Sequence, residues 1–369
     1  MIERFTPEPP HWHVEWDAID RALPWIAAMK GVEQDPIHHA EGDVWIHTRM
    51  VCEALVAMDA WRELEAPSRE RLFAAALLHD VAKPTNTVVE DGRVRSPGHS
   101  PTGSIMARNI LWSLGWPASR REPICGLVRY HQVPYHAIDR SDAKRVIIRL
   151  SQSVSARELA LLCEADVRGR VCEDQQRQLD NIELFRELCR ELGCFDDPYP
   201  FRSDHARAMY FHLPDRDPDW DAYDDTRMTV TVMSGLPAAG KSHWVAAHAG
   251  ELPLIELDAI RDAQGIDPED PQGPVVAIAR ERAREHLRAA RSFVWDATNL
   301  SRQLRQSLVG LCFDDHARVR IVHVEATPAE LRARNRARTR PVPDAVIDKL
   351  MRRWEIPQPT EAHEVLWHE

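Results

Sequence analysis

Cysteine is scarce in this sequence and never occurs as a C-x-x-C pair. The chain has seven cysteines in 369 residues, an odd number that argues against a disulfide framework and against a zinc ribbon. It also lacks a run of about 18 apolar residues that could cross a bilayer. Residues 1–10 lack the basic start and apolar stretch of a secretory signal. We therefore expect a globular protein of a reducing cytoplasm, with no membrane partner.

Positive charge is also in short supply. The formal net charge is −11, which excludes a protein that coats nucleic acid through bulk electrostatics but is compatible with a local basic groove. The arginines are distributed unevenly, since residues 331–340 (LRARNRARTR) contain five of them. The positive charge is therefore concentrated in particular parts of the chain.

Hydrophobic periodicity divides the chain into two main parts. From about Trp12 to Leu192, apolar residues recur every three or four positions without strand alternation, which predicts an all-α domain over residues 1–195. Residues 227–369 alternate apolar runs with amphipathic stretches, which predicts an α/β domain with a parallel sheet. Its four predicted strands lie in MTVTVMSG, ELPLIELD, RSFVWDATN and VRIVHVEAT. Residues 196–226, rich in Asp, Pro and aromatic residues, are predicted as a linker that packs against one neighbour.

A phosphate-binding motif lies at the start of the α/β domain. Residues 235–242, GLPAAGKS, fit G-x-x-x-x-G-K-[ST] between a predicted strand and a predicted helix. In this motif the backbone N–H groups surround phosphates, Lys241 reaches the β- and γ-phosphates, and the Ser242 hydroxyl binds Mg²⁺. We predict binding of ATP or another nucleoside triphosphate with Mg²⁺; the alternative is a glycine-rich turn of structural use only. The predicted nucleotide-binding residues of the loop are Gly235, Ala238, Ala239, Gly240, Lys241 and Ser242.

Further charged residues extend this predicted site. Asp258 ends the second strand, where a carboxylate can accept the proton of an attacking hydroxyl, and Arg261 follows one turn later to hold an acceptor phosphate. The alternative is Asp258 as a helix N-cap with Arg261 as its local partner. Asp296 ends the third strand, near the place of Mg²⁺ or substrate, unless it is a buried structural carboxylate. Arg334 and Arg338 share a predicted helix face that closes over the triphosphate; the alternative is a solvated basic face.

Four segments of this domain together resemble one enzyme family. GLPAAGKS, LDAIR, VWDATN and RNRAR, in this order and spacing, resemble the kinase domains of 5′-hydroxyl polynucleotide kinases over about residues 228–345. The resemblance implies that Asp258 is the general base toward the 5′-hydroxyl and that Arg261 contacts the acceptor phosphate. It also implies that Arg334 and Arg338 bind the ATP phosphates. Further candidates for substrate contact are Asp296, Asn299, Arg302 and Arg305.

The all-α domain carries an ordered set of metal-ligand residues. His47, the pair His79-Asp80 and Asp166 all fall in predicted helices. This order resembles the HD superfamily of metal-dependent phosphohydrolases, which implies a divalent metal that acidifies a water and polarises a phosphoryl oxygen. Mixed imidazole and carboxylate ligands suit Mn, Fe, Co, Ni or Zn. The resemblance also implies that Asp80 is catalytic and that Lys83 contacts a phosphate.

Two further histidines bear on a second metal ion. In two-metal members of this superfamily additional histidines follow the HD pair, and His99 and His131 match those places. Many such members have His-His where this sequence has His131-Gln132. One or two metal ions are therefore both compatible with the sequence, with His136 as a substitute ligand.

The segment upstream of His47 resembles a more specific group. Residues 38–48, HHAEGDVWIHT, are similar to the entry segment of HD domains attached to bacterial tRNA nucleotidyltransferases. The similarity implies that His39 and Glu41 line the substrate pocket. Both residues are also compatible with a solvated loop.

The combination of the two domains resembles the bacterial HD-Pnk end-healing enzymes over nearly the whole chain. This resemblance implies removal of 2′,3′-cyclic or terminal phosphates by the HD domain and ATP-dependent phosphorylation of 5′-hydroxyl ends by the other domain. The implied partners are RNA or DNA ends and a polynucleotide ligase, which needs a 3′-hydroxyl and a 5′-phosphate. Two alternatives remain: a nucleotide phosphohydrolase fused to a small-molecule kinase, and a regulatory ATP-binding protein whose HD half only binds nucleotide.

Overall fold

Helices build the first part of the chain, and a parallel sheet covered by helices builds the second. The computed structural model describes residues 2–267 and 270–369, and the chain divides into two units after Pro200. We refer to them as the amino-terminal and the carboxy-terminal unit. Their helical and α/β structures confirm the predicted fold class.

The amino-terminal unit also contains short 3₁₀ helices at Glu3–Phe5 and Pro24–Ala28. Its α-helices are α1 (Trp16–Ala22), α2 (Val44–Ala57), α3 (Asp59–Arg62), α4 (Ala66–Leu78), α5 (Lys83–Asn86), α6 (His99–Ser113), α7 (Ala118–Tyr130), α8 (Val133–His136), α9 (Ala143–Ser151), α10 (Ala156–Arg168) and α11 (Gln175–Glu191).

Three packed helices, α2, α4 and α10, form the centre of this unit. The end of α4, residues 72–78, has no exposed surface, so this segment is apolar all round rather than on one face. The Asp43 carboxylate caps α2 by accepting the Ile46 N–H at 2.8 Å, and Ser155 caps α10. After α10 a Cβ on Gly169 would lie 2.6 Å from the Val51 backbone nitrogen. Glycine therefore permits the close approach of α10 and α2.

A two-stranded hairpin, absent from the predicted all-α domain, interrupts the helices. Its strands are β1 (Val88–Glu90) and β2 (Arg93–Arg95), paired antiparallel. The turn residues Asp91 and Gly92 both have positive φ, 51° and 73°, as a two-residue hairpin loop requires. The strands were missed because three residues each are too short to produce a visible alternation.

The carboxy-terminal unit contains one five-stranded sheet in which every neighbouring pair is parallel. The strands are β3 (Met228–Ser234), β4 (Leu254–Glu256), β5 (Phe293–Asp296), β6 (Ala317–Val324) and β7 (Glu364–His368), in the order β4-β5-β3-β6-β7. The first four confirm the predicted strands. The fifth strand, β7, is half exposed at one edge, so it lacks the apolar run that identifies buried parallel strands.

Helices connect these strands and place the loops that follow β3, β4 and β5 at one edge of the sheet, the usual ligand edge of such folds. The helices of this unit are α12 (Asp204–His212), which precedes β3, and α13 (Lys241–His248), α14 (Leu257–Gln264), α15 (Gly273–Arg288), α16 (Arg302–Asp314), α17 (Pro328–Arg336) and α18 (Asp344–Met351), with a 3₁₀ helix at Pro359–Glu361.

The segment predicted as a linker contains the helix α12 and belongs to the carboxy-terminal unit from Phe201 onward. Ser203 caps α12. Arg207 attaches this helix to the segment before β7 by donating to the carbonyl oxygens of Pro359 at 3.2 Å and His363 at 2.7 Å. A nine-residue helix among Asp and Pro residues is too short to show a clear helical period.

Within the described residues, no helix combines the length and the apolar character that crossing a membrane requires.

Candidate metal centre and phosphate-binding loop

Four predicted ligands converge in the core of the amino-terminal unit. His47 lies on α2, His79 and Asp80 directly follow α4, and Asp166 lies on α10. All four are buried. The Nε2 atom of His47 lies 3.1 Å from Asp166 Oδ1 and 3.3 Å from His79 Nε2, and His79 Nε2 lies 3.2 Å from Asp80 Oδ2. The structure thus brings together side chains that are up to 119 residues apart in sequence (47 to 166).

His99 and His131 form a second group on the other side of Asp80. His99 begins α6 and His131 directly follows α7. Their Nε2 atoms lie 3.3 Å apart, and His99 Nε2 lies 3.3 Å from Asp80 Oδ1. Each carboxylate oxygen of Asp80 therefore faces a different imidazole pair: Oδ2 faces His47 and His79, and Oδ1 faces His99 and His131.

The hydrogen bonds of the imidazoles indicate which nitrogens are open to a metal. Three of the rings use Nδ1 to donate to a backbone carbonyl: His79 to Ala76 at 2.8 Å, His99 to Ser96 at 2.8 Å and His131 to Val128 at 2.7 Å. A proton on Nδ1 leaves the Nε2 lone pair free. Facing lone pairs repel each other, so a cation between the Nε2 atoms of His99 and His131 would relieve the repulsion.

Asp80 supports the same conclusion. Its Oδ1 atom is buried but accepts no hydrogen bond from the residues that the structure describes, which is costly unless a cation or another polar group is bound. Burial opposes its ionisation, yet His79 and Lys83 outweigh burial and hold the pKa of Asp80 well below its usual range. Burial, together with the charges of His79 and His99, lowers the pKa of His131 to about 3. Burial also lowers the pKa of His99, whereas at His79 the neighbouring Asp80 outweighs burial and raises the pKa of the imidazole. The donor set, an ionised carboxylate surrounded by imidazoles, fits a divalent metal site.

Glu41 has a different place from the predicted one. It is not on the wall of the cavity described below. Its Oε1 atom lies 2.9 Å from His47 Nδ1 and 2.8 Å from His39 Nδ1, and its other oxygen accepts the Val171 N–H. Glu41 therefore orients His47 from behind, as carboxylates do for metal-bound histidines. His39 does lie on the cavity wall.

Two further residues hold Asp166, and neither was predicted. Tyr135 donates its hydroxyl to Asp166 Oδ2 at 2.6 Å, and Arg170 pairs with the same carboxylate through Nε at 3.0 Å and through Nη2. Arg170 follows Asp166 at i+4, a spacing that indicates a local ion pair on a helix. Tyr135 comes from α8, and its contact depends on the tertiary fold.

An open cavity of about 600 Å³ leads to the metal-ligand clusters. Asp80, His99 and His131 lie on its wall, together with Lys83. Lys83 lies 2.8 Å from Asp80 Oδ2 and donates to Gln34 Oε1 at 2.6 Å. A lysine in this position can contact a phosphate bound at the clusters.

Gln132 and His136 also line the cavity but are exposed. The Gln132 carbonyl accepts the Ser100 hydroxyl at 3.1 Å. Among the described residues, His136 belongs to neither ligand cluster, so the His99–His131 pair is formed without the substitute ligand.

The hairpin β1–β2 supplies the remaining part of the cavity wall. Arg93, Val94 and Arg95 of β2 line it, and both arginines are exposed. They are absent from the predicted site. The tight-turn signal Asp91-Gly92 between valine-containing segments, TVVEDGRVR, indicates the hairpin from sequence alone.

The phosphate-binding loop has the strained backbone that its motif predicts. Gly235 has φ of 144°, and a Cβ there would lie 2.3 Å from the Val324 carbonyl oxygen. Ala238 and Gly240 also have positive φ, 64° and 115°. Such a backbone turns successive N–H groups toward one concave face. The geometry favours the phosphate-binding interpretation over a simple turn.

Lys241 lies inside this loop. Its Nζ atom donates to the carbonyls of Gly235 at 3.0 Å and Leu236 at 3.1 Å. Burial lowers its pKa, Asp296 and Asp258 oppose that effect, and Arg338 adds to it. These influences place both acidic residues and Arg338 in the electrostatic environment of Lys241. Ser242 follows in the first turn of α13.

Asp258 lies in the first turn of α14, after the N-cap residue Glu256, so it is not the N-cap itself. Its side chain is 64% exposed and pairs with Arg261. The Arg261 Nε atom also donates to Gln272 Oε1 at 2.8 Å. The local pairing is therefore formed, and it leaves the carboxylate exposed to solvent.

Asp296 ends β5 as predicted and is buried. Its Oδ1 atom has no hydrogen-bond partner within the described residues. Burial raises its pKa to about 6; Lys241 opposes the shift, and Glu256 and Asp258 add to it. An unsatisfied carboxylate beside Lys241 is suited to binding a cation or its water shell.

The raised pKa predicts a pH-dependent effect of Asp296→Asn. In the unfolded chain the carboxyl ionises near its usual pKa, whereas in the folded chain it stays protonated until about pH 6. Folding stability therefore falls as pH rises between these values. We expect the asparagine variant to be more stable than wild type by about 2 kcal/mol above pH 6, with no gain near pH 3.5. Urea unfolding with chelator at both pH values measures this, with exposed Asp348→Asn as the control. An equal gain at both pH values would contradict the burial argument.

Arg334 and Arg338 do not share a helix face. The helix α17 ends at Arg336, because the buried side chain of Asn335 bonds the backbone of Val342 at 2.8 Å and 3.0 Å and folds the chain back. Arg338 lies in the following turn. Arg334 donates from Nη1 to the Ala239 carbonyl at 3.0 Å, which places its guanidinium against the phosphate-binding loop.

Asn299 and Arg305 have structural positions rather than the predicted substrate contacts. Asn299 donates to the Met233 carbonyl at 2.7 Å. Arg305 has no exposed surface; it pairs in bidentate fashion with Glu361 at 2.7 and 2.9 Å and donates to the Glu355 carbonyl at 2.7 Å. Its donors are therefore used within the fold. Arg302 donates from Nη2 to the Thr360 hydroxyl at 3.2 Å and remains partly exposed.

Arg305→Ala should destabilise the carboxy-terminal unit strongly. The substitution leaves the buried Glu361 without its counter-charge, which costs about 3–5 kcal/mol. Urea unfolding monitored by tryptophan fluorescence measures the change. Arg282→Ala, at an exposed position on α15, is the matched control and should lie within about 0.5 kcal/mol of wild type. A similar small effect of Arg305→Ala would contradict the structural role.

Comparison with known proteins assigns both units to domain families. Residues 44–168 match the HD domain family, and residues 230–357 match the AAA domain family. The Multifunctional CCA protein of Halorhodospira halophila is 36% identical over 122 residues, 33% of this chain and 27% of that protein. The Multifunctional CCA protein of Ralstonia nicotianae is 33% identical over 178 residues, 46% of this chain and 39% of that protein.

A third relative has a different name. The CC-adding tRNA nucleotidyltransferase of Thermus thermophilus is 39% identical over 111 residues, 30% of this chain and 24% of that protein. The chain thus spans less than half the length of each of these three relatives. Family matches and geometry agree on the architecture: this chain joins a helical HD domain, with a buried cluster of histidines and aspartates, to a P-loop domain with a parallel sheet.

Proposed function

We propose that the chain is a bifunctional end-healing enzyme. The HD domain removes 2′,3′-cyclic or terminal 2′/3′ phosphates, and the P-loop domain phosphorylates 5′-hydroxyl ends with ATP. The main support is the presence, in one chain, of two ligand clusters that share Asp80, one of them on the wall of a cavity, and of a phosphate-binding loop whose Lys241 is influenced by the exposed Asp258.

The HD half is proposed to hold two divalent ions, chosen from Mn, Fe, Co, Ni and Zn. His47, His79, Asp80 and Asp166 would hold one, and Asp80, His99 and His131 the other. When bound, the ions supply an acidified water and neutralise charge on phosphoryl oxygens. Lys83 contributes a further positive charge at the cavity wall, where Gln34 holds its ammonium group. Asp80 is the central residue because it faces both clusters.

The P-loop half is proposed to bind Mg²⁺-ATP through the loop N–H groups, Lys241 and the Ser242 hydroxyl. Asp258, being exposed, would accept the proton of the 5′-hydroxyl, and Arg261 would hold a phosphate of the acceptor. Asp296 would bind Mg²⁺ or a water molecule of its shell. Arg334, against the loop, and Arg338, near Lys241, would stabilise negative charge on the transferred phosphate.

RNA ends are the proposed substrates. The name of the Thermus relative refers to tRNA, which supports an HD domain that works at RNA ends. A strand healed at both ends carries a 3′-hydroxyl and a 5′-phosphate, which a polynucleotide ligase can join. We therefore propose a ligase as the functional partner, in the reducing cytoplasm.

Phosphate transfer from γ-labelled ATP tests the kinase half. We expect label on a 5′-hydroxyl oligonucleotide and little on free nucleosides or sugars. Transfer to the small molecules alone would instead identify a small-molecule kinase. For the HD half, oligonucleotides with 2′,3′-cyclic, 2′- or 3′-phosphate ends should be hydrolysed, and elemental analysis should find transition metal. Absence of metal together with no stimulation by added divalent ions would contradict the metal-dependent mechanism.

A further inference from the structure

The hairpin β1–β2 is attached directly to the metal-ligand cluster. The carbonyl of Ser96, the residue after β2, accepts the Nδ1 proton of His99 at 2.8 Å. The hydroxyl groups of Thr87 and Ser96 lie 2.8 Å apart at the base of the hairpin. The hairpin thus has a defined position beside the ligands, even though an isolated pair of short strands would be marginally stable.

The charges along the cavity are mostly paired, except on this hairpin. Asp174 pairs with Arg177 and accepts from Gln178 at 3.1 Å, and Asp35 accepts the Ile37 N–H at 3.0 Å. Lys83 pairs with Asp80 and Arg170 with Asp166.

Arg93 and Arg95 differ from these paired residues. They alternate along β2 and point to the same side of it. Arg93 is opposite Glu90 in the strand register, but the described part of the chain contains no ion pair to either arginine. Two solvated guanidinium groups beside a phosphate-hydrolysing cavity, in an acidic protein, are available for an anion that is not part of this chain.

The geometry separates two positions for phosphate. A phosphate bound at the metal-ligand cluster would lie beside Lys83, which is on the cavity wall and nearly buried. The hairpin arginines lie on the wall of the same cavity but are exposed to solvent, so they suit phosphates that remain outside. A mononucleotide has only the reacting phosphate group, whereas an oligonucleotide has internucleotide phosphates that continue out of the cavity.

From this arrangement we infer that Arg93 and Arg95 bind the internucleotide phosphates preceding the reacting end, so that the HD domain selects oligonucleotide ends over mononucleotides. The inference rests on the proposed phosphoesterase function and assigns a specificity determinant to it. Phosphate contacts of this kind position a strand and do not read its sequence, so the preference should depend on strand length and not on base identity.

The test compares two substrates with the same terminal nucleotide: a 2′,3′-cyclic mononucleotide and an oligonucleotide ending in the same cyclic phosphate. For the oligonucleotide, Arg93→Ala and Arg95→Ala should each lower kcat/KM about five-fold, and the double variant about twenty-fold. The kcat/KM for the mononucleotide should not change. The slope of log kcat/KM against log salt concentration, for the oligonucleotide, should become shallower by about one for each arginine removed.

Three controls make the result specific. Arg21→Ala removes one exposed arginine of α1 in the same unit and should leave both substrates unaffected. Arg93→Lys/Arg95→Lys keeps the charge and should retain most of the oligonucleotide preference. Unchanged melting temperatures exclude loss of the fold.

Equal losses on both substrates would assign the hairpin a structural role and overturn the inference, as would no loss on either. Wild-type protein that cleaves the mononucleotide as well as the oligonucleotide would overturn the selectivity while leaving the phosphoesterase function intact. Wild-type protein that cleaves neither would overturn the proposed function itself.

Discussion

Asp80→Asn is expected to abolish phosphoesterase activity while the rate of phosphate transfer from ATP remains that of wild type. Its two oxygens face different imidazole pairs, with Oδ2 at 3.2 Å from His79 Nε2 and Oδ1 at 3.3 Å from His99 Nε2. Asparagine has the same shape but no charge, and its NH₂ group cannot ligate a cation. Both ligand clusters therefore lose the carboxylate they share. Loss of several kcal/mol of metal-dependent stabilisation corresponds to about a thousand-fold lower rate.

Metal content and activity should fall together in this variant. Elemental analysis of the purified protein measures the first, and release of phosphate from a 2′,3′-cyclic end the second. Asp59→Asn, at an exposed carboxylate on α3, is the matched control in the same domain. An Asp80→Asn protein that keeps both its metal and its hydrolytic rate would show that the ligand clusters do not perform the reaction.

Lys241→Ala is expected to have the opposite effect: phosphate transfer falls by about a thousand-fold and hydrolysis is unchanged. Without a ligand, the Lys241 ammonium donates to the Gly235 and Leu236 carbonyls of the loop. In the proposed reaction, bound nucleotide would offer β- and γ-phosphate oxygens instead, and the lysine would neutralise charge that grows on them during transfer. Alanine removes this charge without disturbing the backbone that forms the loop.

Transfer from γ-labelled ATP to a 5′-hydroxyl oligonucleotide measures this effect. Lys349→Ala, an exposed lysine on α18, is the matched control and should behave as wild type. Asp258→Ala should reproduce the loss of transfer, since it removes the proposed base. Hydrolysis that falls in parallel with transfer would contradict independent sites, provided that circular dichroism melting shows an intact fold.

The two motifs at the centre of these predictions are readable from the sequence because their chemistry is tied to local backbone form. GLPAAGKS needs glycine where φ is positive, at Gly235 and Gly240, and such a requirement leaves a pattern in consecutive residues. The order of His47, His79-Asp80, His99, His131 and Asp166 is likewise visible as residue types. The structure places the histidines and Asp80 in two adjoining clusters, with Asp166 beside His47.

Other parts of the site depend on partners that the sequence does not specify. Arg305 and Arg302 look alike in sequence, yet only Arg305 is buried against Glu361, a contact across 56 residues. Glu41 was expected beside substrate, but the fold turns it behind His47. Arg338 lies outside α17 because the Asn335 side chain binds the backbone of Val342 and ends the helix early. The same charged side chain can bind a ligand or stabilise the fold, and its tertiary environment decides which of the two it does.

Residue types and their spacing were thus sufficient for the two-part architecture, the phosphate-binding loop and the candidate metal ligands, because helical period, buried strands and positive-φ glycines follow from short-range physics. Tertiary packing alone decided that Asp80 faces both imidazole pairs, that Tyr135 holds Asp166, and that the hairpin carries Arg93 and Arg95 to the cavity. Those contacts join segments far apart in the chain. Their distances arise only when the helices pack against one another.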